Sequence, residues 1–237
     1  MYKSLIRSCK LVMLMSFVFI ALTGLAMIAY PGGTKFDRVS VQYDFFQNFF
    51  SDLGSTITYS GKSNALSNIL FITALSGIGI SLIYFSRIWR AIDTDVHKFR
   101  SIGFISKIFM IITGIGFMGI AITPWNKFLD YHMLFVKGTF VALLCWTFLI
   151  IILQLRNHKM RKLVLTNIVF FFILLYYVYI LFKGPKMDTV EGLEFQAIRQ
   201  IVVVYATAIN LFIQALGIKM FLKSSDFRKN GIKNFYV

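Results

Sequence analysis

Residues 11–30 read LVMLMSFVFIALTGLAMIAY, twenty positions without one charged side chain. At 1.5 Å per residue, a helix of that length is about enough to cross ~30 Å of hydrocarbon. Five further stretches of the same kind follow, over 65–85, 101–123, 133–155, 163–182 and 197–222. A backbone crossing lipid has to satisfy its own hydrogen bonds, so each stretch is expected to be a helix. The expected fold class is therefore all-α: an integral membrane bundle of six transmembrane helices, forming one membrane domain over residues 1–237. No segment between the spans is long enough to build a soluble core of its own.

The charges sort by side. Sixteen of the 25 Lys and Arg residues fall at one end of the spans. These are Lys3, Arg7 and Lys10; Arg87, Arg90, Lys98 and Arg100; Arg156, Lys159, Arg161 and Lys162; and Lys219, Lys223, Arg228, Lys229 and Lys233. The other end has only Lys35, Arg38, Lys62, Lys127, Lys183 and Lys186, together with seven of the ten acids: Asp37, Asp44, Asp52, Asp130, Asp188, Glu191 and Glu194. Basic loops stay in the cytoplasm, so both termini are expected there. The net charge of +15 is spread over short juxtamembrane segments. Anionic headgroups explain it without nucleic acid, and membrane lipids are the expected partners.

The first span has a basic start like a secretory signal, but its apolar run exceeds the usual h-region. No clear A-x-A site precedes Pro31, although Ala26 and Ala29 come near one. It is expected to be a retained helix. Cys9 and Cys145 lie at different depths, so they cannot pair. The glycines Gly114, Gly116 and Gly119 lie inside span three with no strand before them, which removes a nucleotide-loop reading. With Gly77 and Gly79 they are better read as close helix packing.

The one long connection, 31–64, is on the outer side. Within it DFFQNFFSDLG, residues 44–54, places Phe45, Phe46, Phe49, Phe50 and Leu53 at helical spacing. Asp44 and Gln47 have capping-box spacing, and Gly54 suits a left-handed residue after a helix end. A short amphipathic surface helix is expected, its phenylalanines in lipid or over the bundle. Asp52 would sit near its carboxyl end, unfavourably for the helix dipole.

Ser51-Asp52-Leu53-Gly54 before span two, with Pro124 and Asp130-Tyr131-His132 at the start of span four, resembles a bacterial six-helix membrane family catalogued as domain of unknown function 998. More distantly, the chain is similar to the membrane proteins that include the GPI-anchor remodelling factor and the DRAM autophagy modulators. The likeness runs from about residue 11 to 222. It implies six-helix topology, a bacterial inner (cytoplasmic) membrane and a lipid-linked role. Only Asp52 and His132 carry over, as the positions matching the Ser-Asp and His motifs.

Charged groups inside a bilayer cost at least ~2.5 kcal/mol at the centre unless paired or near water. Lys107, Lys137 and Arg199 are such groups. Lys137 lies roughly 7 Å deep from the outer side, on the helix face of Asp130. With Asp52, Asp130, His132, Glu194 and Arg199 it could converge at the outer mouth, or Lys137 and Arg199 could simply snorkel to headgroups. In span six, Gln196, Gln200, Thr207, Asn210 and Gln214 form one polar stripe that should face the interior. Lys107 would lie near the depth of Asn210, so a contact between Lys107 and Asn210 or Gln214 is expected. Interhelical polar bonding alone could also account for the stripe. Tyr176, Tyr177 and Tyr179 read as interfacial anchors.

Three functions follow. Lys137, Arg199, Glu194 and Gln200 could bind a lipid or other amphiphile headgroup without catalysis, since guanidinium and ammonium pair strongly with anions. Alternatively, His132 with Asp52 or Asp130 could run acid–base chemistry in a lipid-modifying hydrolase or transferase. A transporter comes third, lacking a mid-membrane Asp or Glu and visible inverted halves. His97 and His158 lie inside and His132 outside, so the three cannot share a zinc ion. No metal or other cofactor is implied.

Overall fold

In a computed structural model, residues 2–92, 100–157 and 160–224 are described. Lys98, Lys159, Arg228, Lys229, Lys233, His97 and His158 lie outside the described residues. The described chain is helical, with one isolated antiparallel bridge between Ile57 and Ser63. The elements are α1 (Tyr2–Ala29), α2 (Ala65–Phe85), α3 (Arg87–Ile92), α4 (Arg100–Ile122), α5 (Leu129–Arg156), α6 (Val164–Lys183) and α7 (Val190–Lys223). Two short 3-10 segments, Phe50–Gly54 and Arg161–Leu163, complete them. Six helices are long and apolar enough to cross a membrane, with α2 running on through Ser86 to Trp89. This is a multi-pass membrane protein.

Several helices overrun the apolar runs that mark them, because an intrahelical ladder continues as readily through interfacial polar residues as through leucines. The first expected span begins at residue 11, whereas α1 begins at Tyr2. The last begins at residue 197, whereas α7 begins at Val190. There the Thr189 hydroxyl accepts from the Gly192 N–H at 3.1 Å, an N-cap that starts the helix early. Pro31, Pro124 and Pro185 each stand just past a helix end, where the missing N–H costs nothing.

Each spanning helix packs on the next, α1 on α2, α2 on α4, α4 on α5, α5 on α6 and α6 on α7, and α7 packs back on α1. The bundle is thus a closed ring in chain order, with α4 opposite α7. The tightest crossing is between α2 and α4. A Cβ on Gly79 would stand 2.6 Å from the Gly114 carbonyl oxygen, and one on Gly114 would stand 2.6 Å from that of Gly79. Gly116 gives room to Thr139 and Gly119 to the ring of Phe135, both on α5. The small-residue packing read from the sequence is therefore present on both sides of α4. At the end of the ring where α1 begins, Trp89 packs edge-on against Phe85 and Trp146.

The 31–64 loop, which marks the end of the ring termed outer, departs from expectation. Residues 45–47 make a turn, and only Phe50–Gly54 is helical, in a 3-10 turn. Asp44 Oδ1 does accept the N–H groups of Phe46 and Gln47, at 2.7 and 3.1 Å. The Gln47 side chain does not reach back; it bonds Thr34 and Glu194 instead. Phe49 is extended (φ −67°, ψ 151°), and Asp52 Oδ2 accepts its N–H at 2.9 Å. That bond interrupts the α-helical repeat. Asp52 therefore caps the amino end of a short turn, its carboxyl oxygen accepting a free backbone N–H, rather than sitting at the carboxyl end of a longer helix.

The phenylalanines consequently divide. Phe45 and Phe46 are exposed, whereas Phe50 and Leu53 are buried. Phe50 enters the ring's outer end against Phe19 of α1, Phe71 of α2 and Tyr205 of α7, with centroids 5.9, 5.6 and 6.0 Å away. The segment is a plug. Its approach from α1 turns on Gly32 and Gly33, at φ 100° and 92°, where a side chain at Gly32 would also strike the Ser40 carbonyl. Gly54 has no positive φ; it is glycine because a Cβ there would lie 2.5 Å from the Phe71 ring.

Gly79→Val should separate α2 from α4 and lower stability by about 1–3 kcal/mol, as overpacking does. Gly24→Ala, where a Cβ meets nothing within 4 Å, should change it by less than about 0.5 kcal/mol. Thermal unfolding of the two variants in one detergent makes the comparison; equal midpoints would contradict the crossing.

Candidate functional site at the outer end of the bundle

The plug is held by side chains from three directions. From α2, Asn64 Nδ2 donates to the carbonyls of Leu53 and Ser55, both at 3.0 Å, and to that of Asp52 at 3.3 Å. The Ser67 hydroxyl donates to the Leu53 carbonyl at 3.2 Å and Asn68 Nδ2 to the Gly54 carbonyl at 2.6 Å. From α7, Gln200 Oε1 accepts the Ser51 N–H at 3.3 Å. From the α4–α5 turn, Asn126 accepts the Thr56 N–H at 3.1 Å and donates to its hydroxyl at 2.9 Å. Ser51-Asp52-Leu53-Gly54 is thus a docking segment whose buried carbonyls are met by the first turn of α2.

Asp52 sits at its centre, 1 % exposed. Its Oδ2 accepts from Phe49 N–H and from Asn48 Nδ2, the latter at 3.1 Å. Asn48 is fully buried and also donates to the Gly33 carbonyl at 3.0 Å. The Trp125 indole N–H faces the same carboxyl and favours its charged form. It falls short of hydrogen-bond geometry and is buried without an acceptor. Trp125 stacks on Tyr59 at 5.3 Å, and Tyr30 meets Tyr43 edge-on at 5.7 Å. Burial pushes the Asp52 carboxyl up from 3.8 to about 7, against the pull of Asn48, Phe49 and Trp125. Burial, then the Asp52 charge, likewise raises the hydroxyls of Tyr43 and Tyr59, which stay neutral.

The other candidates stand around the plug without joining one another. His132, on α5, is buried, and its Nδ1 lies 2.7 Å from the Thr123 carbonyl. A carbonyl only accepts, so Nδ1 carries the proton and His132 ties the end of α4 to α5. Asp130 is exposed. Glu194 Oε1 accepts from Gln47 Nε2 at 3.3 Å. Lys137 is half-buried, its amine 5.4 Å from the centre of the Phe182 ring near the outer end of α6. Arg199 is also half-buried; its guanidinium lies 3.4 Å over the Phe195 ring, Nη1 donates to the Phe195 carbonyl at 2.8 Å, and Nε is buried without an acceptor. Neither cation pairs with a described acid. Asp52, Gln200 and Glu194 are joined through the loop, whereas Lys137, Arg199, His132 and Asp130 are held separately.

The inward polar stripe of α7 is present from Gln200 onward: Gln200, Thr207, Asn210 and Gln214 are buried, whereas Gln196 is only partly buried and donates to the Pro185 carbonyl. Its expected partner is wrong. Asn210 donates to Asn167 Oδ1 at 3.0 Å, Asn167 to Gln154 Oε1 at 2.9 Å, and Gln154 to Gln214 Oε1 at 2.7 Å. Gln214 then donates to the Thr166 hydroxyl at 3.0 Å. This amide chain joins α5, α6 and α7. Lys107 makes none of these bonds, because α4 lies across the ring from α7. Sequence reading missed Asn167 and Gln154 because each is a single amide in an apolar run. It missed Asn48, Asn64, Asn68 and Trp125 too, although Asn64, Ser67 and Asn68 share one helix face by spacing.

Asp52 holds its proton more tightly folded than unfolded. The fold should therefore lose stability as pH rises from 3.8 to about 7, and level off above that. Asp52→Asn keeps the acceptor for Phe49 and Asn48 and should flatten that slope in detergent unfolding midpoints; an unchanged slope contradicts the assignment. Asn167→Leu should cost roughly 1–2 kcal/mol by breaking the amide chain, and Lys107→Met much less. Equal costs would put Lys107 back in the network. Comparison with protein-family models, curated proteins and solved structures finds no match to this chain.

Proposed function

We propose that this multi-pass protein holds the anionic headgroup of a lipid or other amphiphile at the outer ends of α5, α6 and α7, without chemical turnover. The observation that carries the reading is the state of the two cations there. Lys137 and Arg199 are half-buried, rest on aromatic rings, and have no described acid as counter-ion. A phosphate or carboxylate would supply one, and the buried Arg199 Nε would gain an acceptor. On α5 and α6, Leu134, Tyr176, Tyr179 and Phe182 are exposed, a largely apolar set suited to acyl chains, and Phe182 lies against Lys137. Both termini belong to the cytoplasm of a bacterial inner membrane in this proposal, on the side of the sixteen basic residues. The resemblance of Ser51-Asp52-Leu53-Gly54 and Asp130-Tyr131-His132 to the six-helix family 998, with its lipid-linked relatives, fits the same reading.

The enzyme alternative has less behind it. His132 bonds a backbone carbonyl, Asp52 bonds Asn48 and Phe49, and Asp130 is exposed; no hydrogen bond joins the histidine to either acid.

Mass spectrometry of lipids retained by gently purified protein tests the proposal. Lys137→Ala and Arg199→Ala should each lower bound anionic lipid by about threefold or more, the scale of one lost charge-assisted contact. Wild-type lipid content in both variants would overturn it.

A further inference from the structure

At the end of the ring where α1 begins, polar side chains from two helices gather around one tyrosine. Ser4 Oγ of α1 lies 3.1 Å from the Tyr84 hydroxyl of α2. The Arg87 guanidinium lies over the Tyr84 ring, 4.0 Å from its centroid, and its Nε donates to the Tyr84 carbonyl at 3.4 Å. The charge of Arg7, on α1, acts on the same hydroxyl. Ser4 and Tyr84 are half-buried, whereas Arg7 and Arg87 are exposed. Neither arginine pairs with a described acid.

Helix periodicity puts this cluster at the head of a groove. Ser4 and Met15 lie along the line of α1 that meets α2, and Arg7 and Leu14 flank that line on one side. On α2, Tyr84 and Gly77 follow the contact line, with Arg87 and Ile80 beside it. The two helices run antiparallel, so both flanks fall on the same side of the contact. Leu14 and Ile80 are accordingly 54 % and 57 % exposed. Between them Gly77 is only partly buried, and a Cβ there would stand 3.2 Å from Met15 Sδ. The groove is thus polar at its head, apolar along its walls and narrow at the glycine.

We propose that this groove binds an anionic phospholipid, its phosphate held by Arg7, Arg87 and the hydroxyls of Ser4 and Tyr84, with an acyl chain lying between Leu14 and Ile80. A phosphodiester offers two non-bridging oxygens, which match the planar donor fork of a guanidinium. Each hydroxyl can turn its proton toward the same oxygens. Arg87 already rests on the Tyr84 ring with its Nε engaged, so its terminal nitrogens are oriented before the lipid arrives. Two cations without an acid disfavour a headgroup that carries its own ammonium, which selects lipids of net negative charge. Arg161, exposed at the same end, donates to the Leu155 carbonyl and attracts such lipids only diffusely. The site lies at the opposite end of the bundle from Lys137 and Arg199 and does not rest on the function proposed for them.

Leu14→Trp puts a reporter in the groove. It is read in the full chain, in phosphatidylcholine bilayers holding a minor fraction of phosphatidylglycerol whose brominated chains quench tryptophan on contact. The unsubstituted chain supplies the blank for Trp89, Trp125 and Trp146. Phosphatidylglycerol should be enriched at this reporter relative to Leu165→Trp on α6, a position 70 % exposed. Adding Arg7→Ala or Arg87→Ala should lower the enrichment about fivefold, the effect of one cation at a membrane surface. Tyr84→Phe, which changes no charge, should lower it about threefold, and Arg161→Ala should leave it unchanged. Equal losses from Arg87→Ala and Arg161→Ala would overturn the site in favour of diffuse attraction, and so would full enrichment in Tyr84→Phe. Inorganic phosphate should not displace the lipid; displacement would mean that the cluster reads free phosphate and would overturn the lipid assignment.

Discussion

Most buried polar groups in this protein find their partners inside the chain, because lipid offers none. That constraint makes the six spans helical, but its sharper consequences lie where the chain is not helical. The plug brings four backbone carbonyls into the top of the ring, from Asp52 to Ser55. Asn64, Ser67 and Asn68 exist at the first turn of α2 to meet them. The same requirement at the inner half produces the amide chain through Asn210, Asn167, Gln154 and Gln214, in which each side chain donates to the next. Unsatisfied, each of these groups would cost on the order of 1–3 kcal/mol.

Charge obeys a different economy. The buried acid, Asp52, has no cation, and the two half-buried cations, Lys137 and Arg199, have no acid. A protein built only for stability would have joined them, since opposite charges in a medium of low dielectric attract strongly. Keeping them apart leaves one site that a proton would neutralise and, on the function proposed above, another that an anion would neutralise. Both lie at the outer end, and Gln200, next to Arg199 in the chain, touches the plug through Ser51. The two ligands would therefore act on neighbouring parts of one surface.

Much of the fold was legible in the sequence. Six apolar runs announced six helices, the glycines of spans two and three announced close helix packing without saying which helices meet, and the four-and-three spacing in the last span announced its inward polar face. Those signals are periodic and local. What failed was pairing across helices. Lys107 and Asn210 share a depth, but depth says nothing about position around a ring, and α4 and α7 stand on opposite sides of it. The loop failed for a related reason. The spacing of Phe45, Phe46, Phe49, Phe50 and Leu53 is helical, yet the Asp52 carboxylate bonds the Phe49 amide and cuts the repeat. Of the outer residues, Asp52, Gln200 and Glu194 do meet through the loop, whereas Asp130 and His132 go separate ways. A list of polar residues at one membrane face could not distinguish these cases.

The account turns on Asp52 being a dry carboxyl without a counter-ion near neutral pH. Infrared difference spectroscopy reads that directly, as the carbonyl stretch of a protonated acid in the wild-type protein minus that in Asp52→Asn. A band present in mild acid that vanishes with a midpoint at about 7 is the predicted result. A band that titrates at the ordinary carboxylate value of 3.8, or none specific to Asp52, would contradict it.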